Sequence, residues 1–324
     1  MIGKLGDRKM GDRQNRREAF GGATAMKRLR HILEALGFAA AIAGLRLLSV
    51  DAASNLGGFL GRGIGPRLPV SARARRNLRL VFPDKGAAEI ERIVRGMWDN
   101  LGRVAAEYPH LARITSAESG RVTLVDTDAV RALGDNRQAG VLAAAHLANW
   151  EVLAGVAAQL GIDMTGVVRE PNNPLVRPLI ERLRGAAGGG RTPKGAAGAK
   201  KAIEVLRSGR VLAVLFDQKM NNGIPVPFFG IEAMTVMAPA QLALRFGCPL
   251  MAVRTERTGP GRFRITAQGP LAPPGTGDRH EDAARLTAEL NRILEGWIRA
   301  KPEDWLWLHR RWPEAAYRER ESGD

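Results

Sequence analysis

From residue 121 onwards, short apolar segments alternate with longer amphipathic ones, and this alternation constrains the fold more than any other feature. Six segments have the length and composition of strands: 121–125, 140–145, 164–169, 211–216, 249–255 and 262–268. Helical periodicity predicts helices between them, over 150–160, 174–187, 196–208, 237–246 and 279–300. Such alternation is typical of βαβ units. The sequence therefore predicts an α/β fold with a mainly parallel central sheet flanked by helices.

The residues before 121 divide into three parts. Residues 1–28 are polar and basic and are expected to be a disordered tail. Residues 29–68 combine a hydrophobic segment with a glycine-rich stretch, which predicts a helix followed by a flexible junction. Two helices, over 71–81 and 86–108, then open a main domain expected to cover residues 69–318.

The hydrophobic segment at 32–48 contains Glu34 and Arg46 and is too short for a clean membrane span. A cleaved signal peptide would need a short basic leader and a good cleavage site, and both are poor here. A spanning helix remains possible if Arg46 reaches the interface. An interfacial amphipathic helix accounts for both charges most simply, so we favour an N-terminal membrane-attached helix.

The net charge narrows the function classes. Lys and Arg exceed Asp and Glu by 16, with an isoelectric point near 11.0. An acidic partner is therefore expected: nucleic acid, an anionic membrane face, an acidic protein or a phosphorylated substrate. Aromatic residues make up only 5% of the chain, and no nucleic-acid-binding motif is visible. Nucleic acid is therefore the weaker hypothesis among these acidic partners. The lone Cys248 excludes a disulfide framework and fits a reducing compartment.

A histidine and a carboxylate, His146 and Glu151, follow the apolar segment 140–145 directly. Ligands of open α/β sheets bind at the carboxyl ends of strands. We expect Glu151, in the first turn of the next helix, to hydrogen-bond the imidazole and support it as a general base. The competing interpretation is a satisfied loop histidine. There is no H-E-x-x-H, no C-x-x-C and no G-x-S-x-G, so neither a metal site nor a serine hydrolase is predicted.

Other polar residues end neighbouring strands. Arg169 follows the strand at 164–169 and suits a phosphate or carboxylate, unless it pairs with a nearby glutamate. Asp217 and Gln218 follow the strand at 211–216, at the same expected edge. Lys194 lies in a glycine-rich stretch, 185–198, which is either an anion cradle before a helix or a flexible loop.

Two aromatic segments allow alternatives. The loop 225–230 contains Phe228 and Phe229, which either line an apolar channel or pack onto the core. The segment 305–313 carries three tryptophans among arginines, which suit either membrane headgroups or closure of the core.

Together these blocks resemble the bacterial lipid A biosynthesis acyltransferases, the late lauroyl and myristoyl transferases. The matching blocks lie in order over roughly residues 30–315. They are His146 to Glu151, Arg169, Pro193-Lys194-Gly195, Asp217-Gln218, Pro227 to Gly230 and Trp305 to Trp312.

The resemblance implies a glycerolipid-acyltransferase-like fold and transfer of a fatty acyl chain from acyl carrier protein to a hydroxyl of a Kdo-lipid A precursor. It also implies a cytoplasmic-face, inner-membrane enzyme without a metal or redox cofactor. His146 would be the base and Glu151 its partner. The residues expected to bind substrate are Asn149, Arg169, Lys194, Asp217 and Gln218. An acidic carrier and an anionic lipid acceptor would both use the positive charge. A related acyltransferase with another glycolipid or lysophospholipid acceptor, and a non-catalytic lipid-binding protein, remain alternatives.

Overall fold

The structure is a computed structural model that describes residues 26–135, 137–168, 171–193 and 195–322. Nine strands are found in this part of the chain: β1 (Val122–Val125), β2 (Gly140–Ala144), β3 (Met164–Val168), β4 (Gly190–Pro193), β5 (Val211–Leu215), β6 (Ile224–Phe228), β7 (Ile231–Thr235), β8 (Leu250–Gly259) and β9 (Arg262–Gln268). All six strands expected from the sequence are present.

Seven of these strands form one sheet in the order β1-β9-β8-β2-β5-β3-β4. The neighbours from β8 to β4 run parallel, while β9 is antiparallel to β8 and carries β1 beside it in its own direction. The predicted α/β fold with a mainly parallel sheet is therefore confirmed.

Helices cover both faces of this sheet. They are α1 (26–46), α2 (Val50–Ile64), α3 (Ser71–Val81), α4 (Ala87–Glu107), α5 (Leu111–Thr115), α6 (Asp128–Asp135), α7 (Val152–Gln159), α8 (Arg177–Ala187), α9 (Ala196–Arg207), α10 (Ala238–Phe246), α11 (Arg279–Ala300) and α12 (Glu314–Ser322). The seven helices predicted downstream of residue 70 are all present within three residues of their expected bounds. Short helices α5, α6 and α12 were not predicted.

Successive residues of a strand point to opposite faces, and the core divides accordingly. Val141 and Ala143 of β2 join an apolar cluster with α4, α9, α10 and α11, whereas Leu142 joins a second cluster with α5, α6 and α7. The buried sheet thus has an apolar layer on each side. This arrangement leaves the carboxyl ends of the parallel strands as the edge where polar side chains can gather.

The expected flexible junction in the glycine-rich stretch is wrong, because these residues form α2. Gly57 and Gly61 lie against Gly102 of α4, and a Cβ atom at Gly57 or Gly102 would overlap the other residue's backbone carbonyl. The glycines therefore permit close helix packing. A pattern of small residues separated by four positions serves contact as well as flexibility, and sequence alone did not separate the two.

Two further segments were expected to be loops and form strands instead. The second glycine-rich stretch, residues 185–198, contributes edge strand β4, and the loop 225–230 belongs to the hairpin of β6 and β7. Phe229 and Gly230 turn this hairpin with φ of 56° and 73°, the positive values that a tight two-residue turn requires. Pro225 and Pro227 argued against a strand at β6 in the sequence, because within sheets proline is tolerated mainly on the unpaired side of an edge strand.

The amino-terminal region is described from residue 26. Most of the expected disordered tail, residues 1–25, lies outside the described residues, and 26–28 form the first turn of α1. The helix expected from the hydrophobic segment is present but begins earlier than residue 32. Among the described helices, none combines the length and the apolar character that a membrane crossing requires.

Candidate active site

His146 and Asp217 meet because their strands are neighbours in register. Gly140 of β2 pairs with Val211 of β5, and the pairing continues to Ala144 and Leu215. Each functional residue lies six positions beyond the first residue of its strand, so both emerge side by side at the carboxyl edge. The His146 Nδ1 atom lies 2.8 Å from Asp217 Oδ1, and the backbone N–H of His146 donates to Asp217 Oδ2 at 3.1 Å.

The carboxylate of Asp217 is buried, with a side chain 1% exposed, and the indole N–H of Trp305 donates to it at 2.8 Å. Burial alone would raise the pKa of this carboxyl. The positive charge of a protonated His146 and the hydrogen bonds from His146 and Trp305 outweigh burial and lower the pKa to about 2. Asp217 is therefore ionised at neutral pH and fixes the proton of His146 on Nδ1. The Nε2 atom is left as the basic nitrogen.

That basic nitrogen points at Gln218. The amide nitrogen of Gln218 lies 3.1 Å from His146 Nε2 and 2.8 Å from His309 Nε2. An amide group has two N–H donors, so it can serve both imidazoles at once. Gln218, which was expected to bind substrate, lies directly beside the atom that would accept a proton.

The predicted hydrogen bond between His146 and Glu151 is wrong. Glu151 accepts a hydrogen bond from the Tyr108 hydroxyl at 2.6 Å and forms a two-point ion pair with Arg184 at 2.9 and 2.5 Å. The reason is local: α7 begins only at Val152, so Glu151 does not occupy a first helical turn. The backbone turns at Ala148, which has a positive φ of 47°, and this turn carries Glu151 away from the imidazole.

A cavity of about 500 Å³, here called cavity A, extends from His146 into the protein. Its walls are mostly apolar side chains of α4, α7, β3 and β5. Its side chains with polar atoms are Tyr108, His146, Trp150, Glu151, Arg184, Arg191, Gln218 and His309. An imidazole with an ionised partner at one end of an apolar cavity suits proton transfer on a group carried by an aliphatic ligand.

Comparison with known proteins agrees with this chemistry. The sequence profile of the family described as bacterial lipid A biosynthesis acyltransferase matches residues 21–314. The chain belongs to this family. It is also similar to the lipid A biosynthesis lauroyltransferase of Escherichia coli (strain K12), with 26% identity over 244 residues, 73% of this chain and 76% of the relative. The protein is thus an acyltransferase of the lipid A biosynthesis family, as the sequence motifs indicated.

In this lipid A biosynthesis acyltransferase, Asn149 and Glu107 stabilise the loop between β2 and α7 through buried hydrogen bonds. Asn149 is fully buried and donates to Glu107 Oε2 at 2.8 Å, while its own side-chain oxygen accepts from the Glu151 N–H. Glu107 is also paired with Arg257. Asn149 was expected to bind substrate, but the structure does not place it where a substrate could reach it. Asp217, also expected to bind substrate, is likewise buried and instead orients His146.

Two predicted substrate-binding residues of the acyltransferase, Arg169 and Lys194, lie outside the described residues. Sequence reasoning missed Trp305, Tyr108 and Arg184 as contributors to the site. Trp305 stood in the block 305–313, for which closure of the core was one of two alternatives, and its indole lies 2% exposed in that core. Tyr108 was noted only as a helix end. Arg184 gave no signal, because one arginine on an amphipathic helix resembles any other.

Proposed function

We propose that the protein transfers a fatty acyl chain from acyl carrier protein to a hydroxyl of a Kdo-lipid A precursor, with His146 as general base. The observation that carries this proposal is the His146–Asp217 pair, which directs a basic Nε2 atom towards an apolar cavity. The family sets the reaction class, and the geometry supports the base. Glu151 acts through Arg184, which it holds against the cavity wall.

His146 Nε2 takes the proton of the acceptor hydroxyl as its oxygen attacks the thioester carbonyl. The carbon–sulfur bond then breaks, an ester forms, and the thiolate of the carrier takes the proton back from His146. Asp217 stabilises the imidazolium between these two steps. Because Gln218 occupies Nε2 in this structure, the acceptor hydroxyl must displace its amide, which is then free to hydrogen-bond substrate.

The test of this proposal is replacement of His146 by alanine. His146→Ala should lower turnover by about 10² to 10⁴-fold while the protein stays folded. The assay uses acyl-carrier-protein donor and Kdo-lipid A precursor, with mass spectrometry of the lipid product. A fully active, folded His146→Ala protein would exclude the mechanism. Wild-type transfer to a lysophospholipid or another glycolipid, but not to the lipid A precursor, would exclude the proposed acceptor.

The surface of the first two helices supports attachment to the cytoplasmic face of the inner membrane. Among the described residues, large apolar side chains that are exposed lie almost entirely between residues 26 and 68, with Leu33, Phe59 and Ile64 each 57–62% exposed. Arg46 and Arg62 lie among them, as interfacial helices often have. We expect a Phe59→Glu, Ile64→Glu protein to bind anionic vesicles less than wild type while keeping its fold. Equal flotation of both proteins with the vesicles would contradict this attachment.

A further inference from the structure

A second cavity, here called cavity B, meets cavity A at the strand edge. It has a volume of about 1020 Å³ and lies between the sheet, α9 and α10. Of the two cavities, Leu212 of β5 lines only cavity B, whereas the next residue, Ala213, lines only cavity A, so their inner parts lie on opposite faces of the sheet. Towards the strand ends the cavities adjoin, since Val167, Val214 and Leu215 line both. Gln218 lines both. The amide beside the base therefore marks the point where molecules from the two cavities could meet.

Cavity B carries an uncompensated positive charge. Lys219, Arg245 and Arg279 contribute to its lining, and no Asp or Glu does among the described residues. Within the part of the chain that the structure describes, these three cations form no salt bridge. Cavity A differs in degree: its lining has two arginines, Arg184 and Arg191, and one carboxylate, Glu151, which pairs with Arg184. Free cations around an otherwise apolar cavity favour a ligand that is both anionic and extended.

The position of α1 separates the two cavities further. Asn173, in the loop before α8, donates to the His31 carbonyl and to Glu34 Oε2, both at 2.9 Å. The amino-terminal helices with their exposed apolar side chains thus lie on the side of α8, which borders cavity A. A lipid from the membrane would reach cavity A by the shorter route. Cavity B, bordered by α9 and α10, is left for a ligand from the aqueous phase.

Building on the proposed function, we infer that cavity B binds the acyl donor, with its cations contacting the phosphate of the pantetheine arm and the acidic carrier surface. Cavity A then receives the lipid acceptor. The thioester carbonyl arrives beside Gln218 from one face of the sheet, and the acceptor hydroxyl reaches His146 from the other. Both substrates can therefore be bound at once, which suits direct transfer without an acyl-enzyme intermediate.

The test removes two of the cations, with a matched control. Arg245→Gln with Arg279→Gln is compared with Arg182→Gln with Arg207→Gln. The control arginines are also exposed, form no salt bridge with any described residue and line neither cavity. The first pair should raise the KM for acyl carrier protein about fivefold, with the kcat and the KM for the lipid acceptor unchanged. It should also weaken the salt dependence of that KM, since exposed charges are screened. The control pair should change none of these values.

Direct titration with holo-acyl carrier protein, whose arm carries no acyl chain, separates the two proposals. In one outcome, wild type binds the carrier and the Arg245→Gln, Arg279→Gln variant binds it about fivefold more weakly, but neither protein transfers an acyl chain. The proposed function then fails, and the assignment of cavity B as the donor site stands. In the opposite outcome, wild type transfers acyl chains, and the Arg245→Gln, Arg279→Gln variant has the same KM and affinity for the carrier as the control variant. The assignment of cavity B as the donor site then fails, and the proposed function stands. A rise in the acceptor KM alone would reverse the assignment of the cavities and overturn the inference.

Discussion

Two carboxylates near cavity A, Asp217 and Glu151, are both paired with a basic side chain, yet the surroundings of the two pairs differ. Asp217 ends a buried strand, has a side chain 1% exposed and pairs with an imidazole. Glu151 precedes a helix, has a side chain 12% exposed and pairs with the guanidinium of Arg184. An imidazole can give up its proton near neutral pH, whereas a guanidinium cannot.

The comparison shows which pair can carry out proton transfer. Burial acts to lower the pKa of Arg184, but its hydrogen bonds and charge interaction with Glu151 outweigh burial and raise that pKa further. Burial and the Glu151 charge likewise raise the pKa of the Tyr108 hydroxyl. Neither partner of Glu151 therefore exchanges a proton at neutral pH. The Glu151–Arg184 pair holds a fixed positive group in place, and the Asp217–His146 pair supplies the base.

The largest expected effect is on turnover. Asp217→Asn should lower kcat by about 10³-fold, because an amide can neither fix the Nδ1 proton nor stabilise the imidazolium. The Trp305 indole can still donate to the amide oxygen, so the fold should persist, as tryptophan fluorescence would show. A kcat within tenfold of wild type would remove the basis for assigning different roles to the two carboxylates.

Glu151→Gln should act first on stability. It leaves the Arg184 charge largely buried without its partner, so the free energy of unfolding in urea should fall by about 3 kcal/mol. Activity should fall mainly through a higher KM for the acceptor, since Arg184 lines cavity A. The double variant Glu151→Gln, Arg184→Met is the control and should regain part of the stability. A loss of kcat equal to that of Asp217→Asn, without any loss of stability, would contradict the distinction.

The pH dependence of stability offers a smaller test. Folding lowers the pKa of Asp217 from 3.8 to about 2, so the folded state favours the ionised form. Its contribution, about 2 kcal/mol, is complete above pH 4 and is lost as the pH falls from 4 towards 2. Unfolding free energies of wild type and Asp217→Asn should therefore differ most above pH 4 and converge below it. A difference that grows on acidification would mean that the carboxyl is protonated in the folded state.

The smallest effect concerns the turn that separates the two pairs. Ala148 holds a positive φ of 47°, and its N–H donates to the Asp304 carbonyl at 2.8 Å. Glycine adopts this conformation without steric cost. Ala148→Gly should therefore stabilise the protein by up to about 1 kcal/mol with activity retained. Ala148→Val should destabilise it, because this site is fully buried. A stabilising valine would show that the turn is not strained.

Much of the fold was predictable because local sequence patterns carry it. Apolar runs such as 140–145 and 211–216 gave strands close to their observed bounds, and periodic segments gave the main helices. Three of the elements that were missed share one cause. In α2, β4 and β6 the glycines and prolines serve packing, edge or hairpin positions, although the same residues also mark loops. Only the neighbouring element, such as α4 against α2, distinguishes these uses.

The sequence by itself determined that His146 and Asp217 each stand at the carboxyl end of a buried strand, and that a strongly basic chain needs acidic partners. It could not determine that β2 and β5 are adjacent, because strand order depends on how the helices between them cross the sheet. That adjacency gives His146 a partner 71 positions away in the chain. The turn at Ala148 carries Glu151, only five positions from His146, away from the imidazole. A hydrogen bond depends on distance in space and not on separation in sequence.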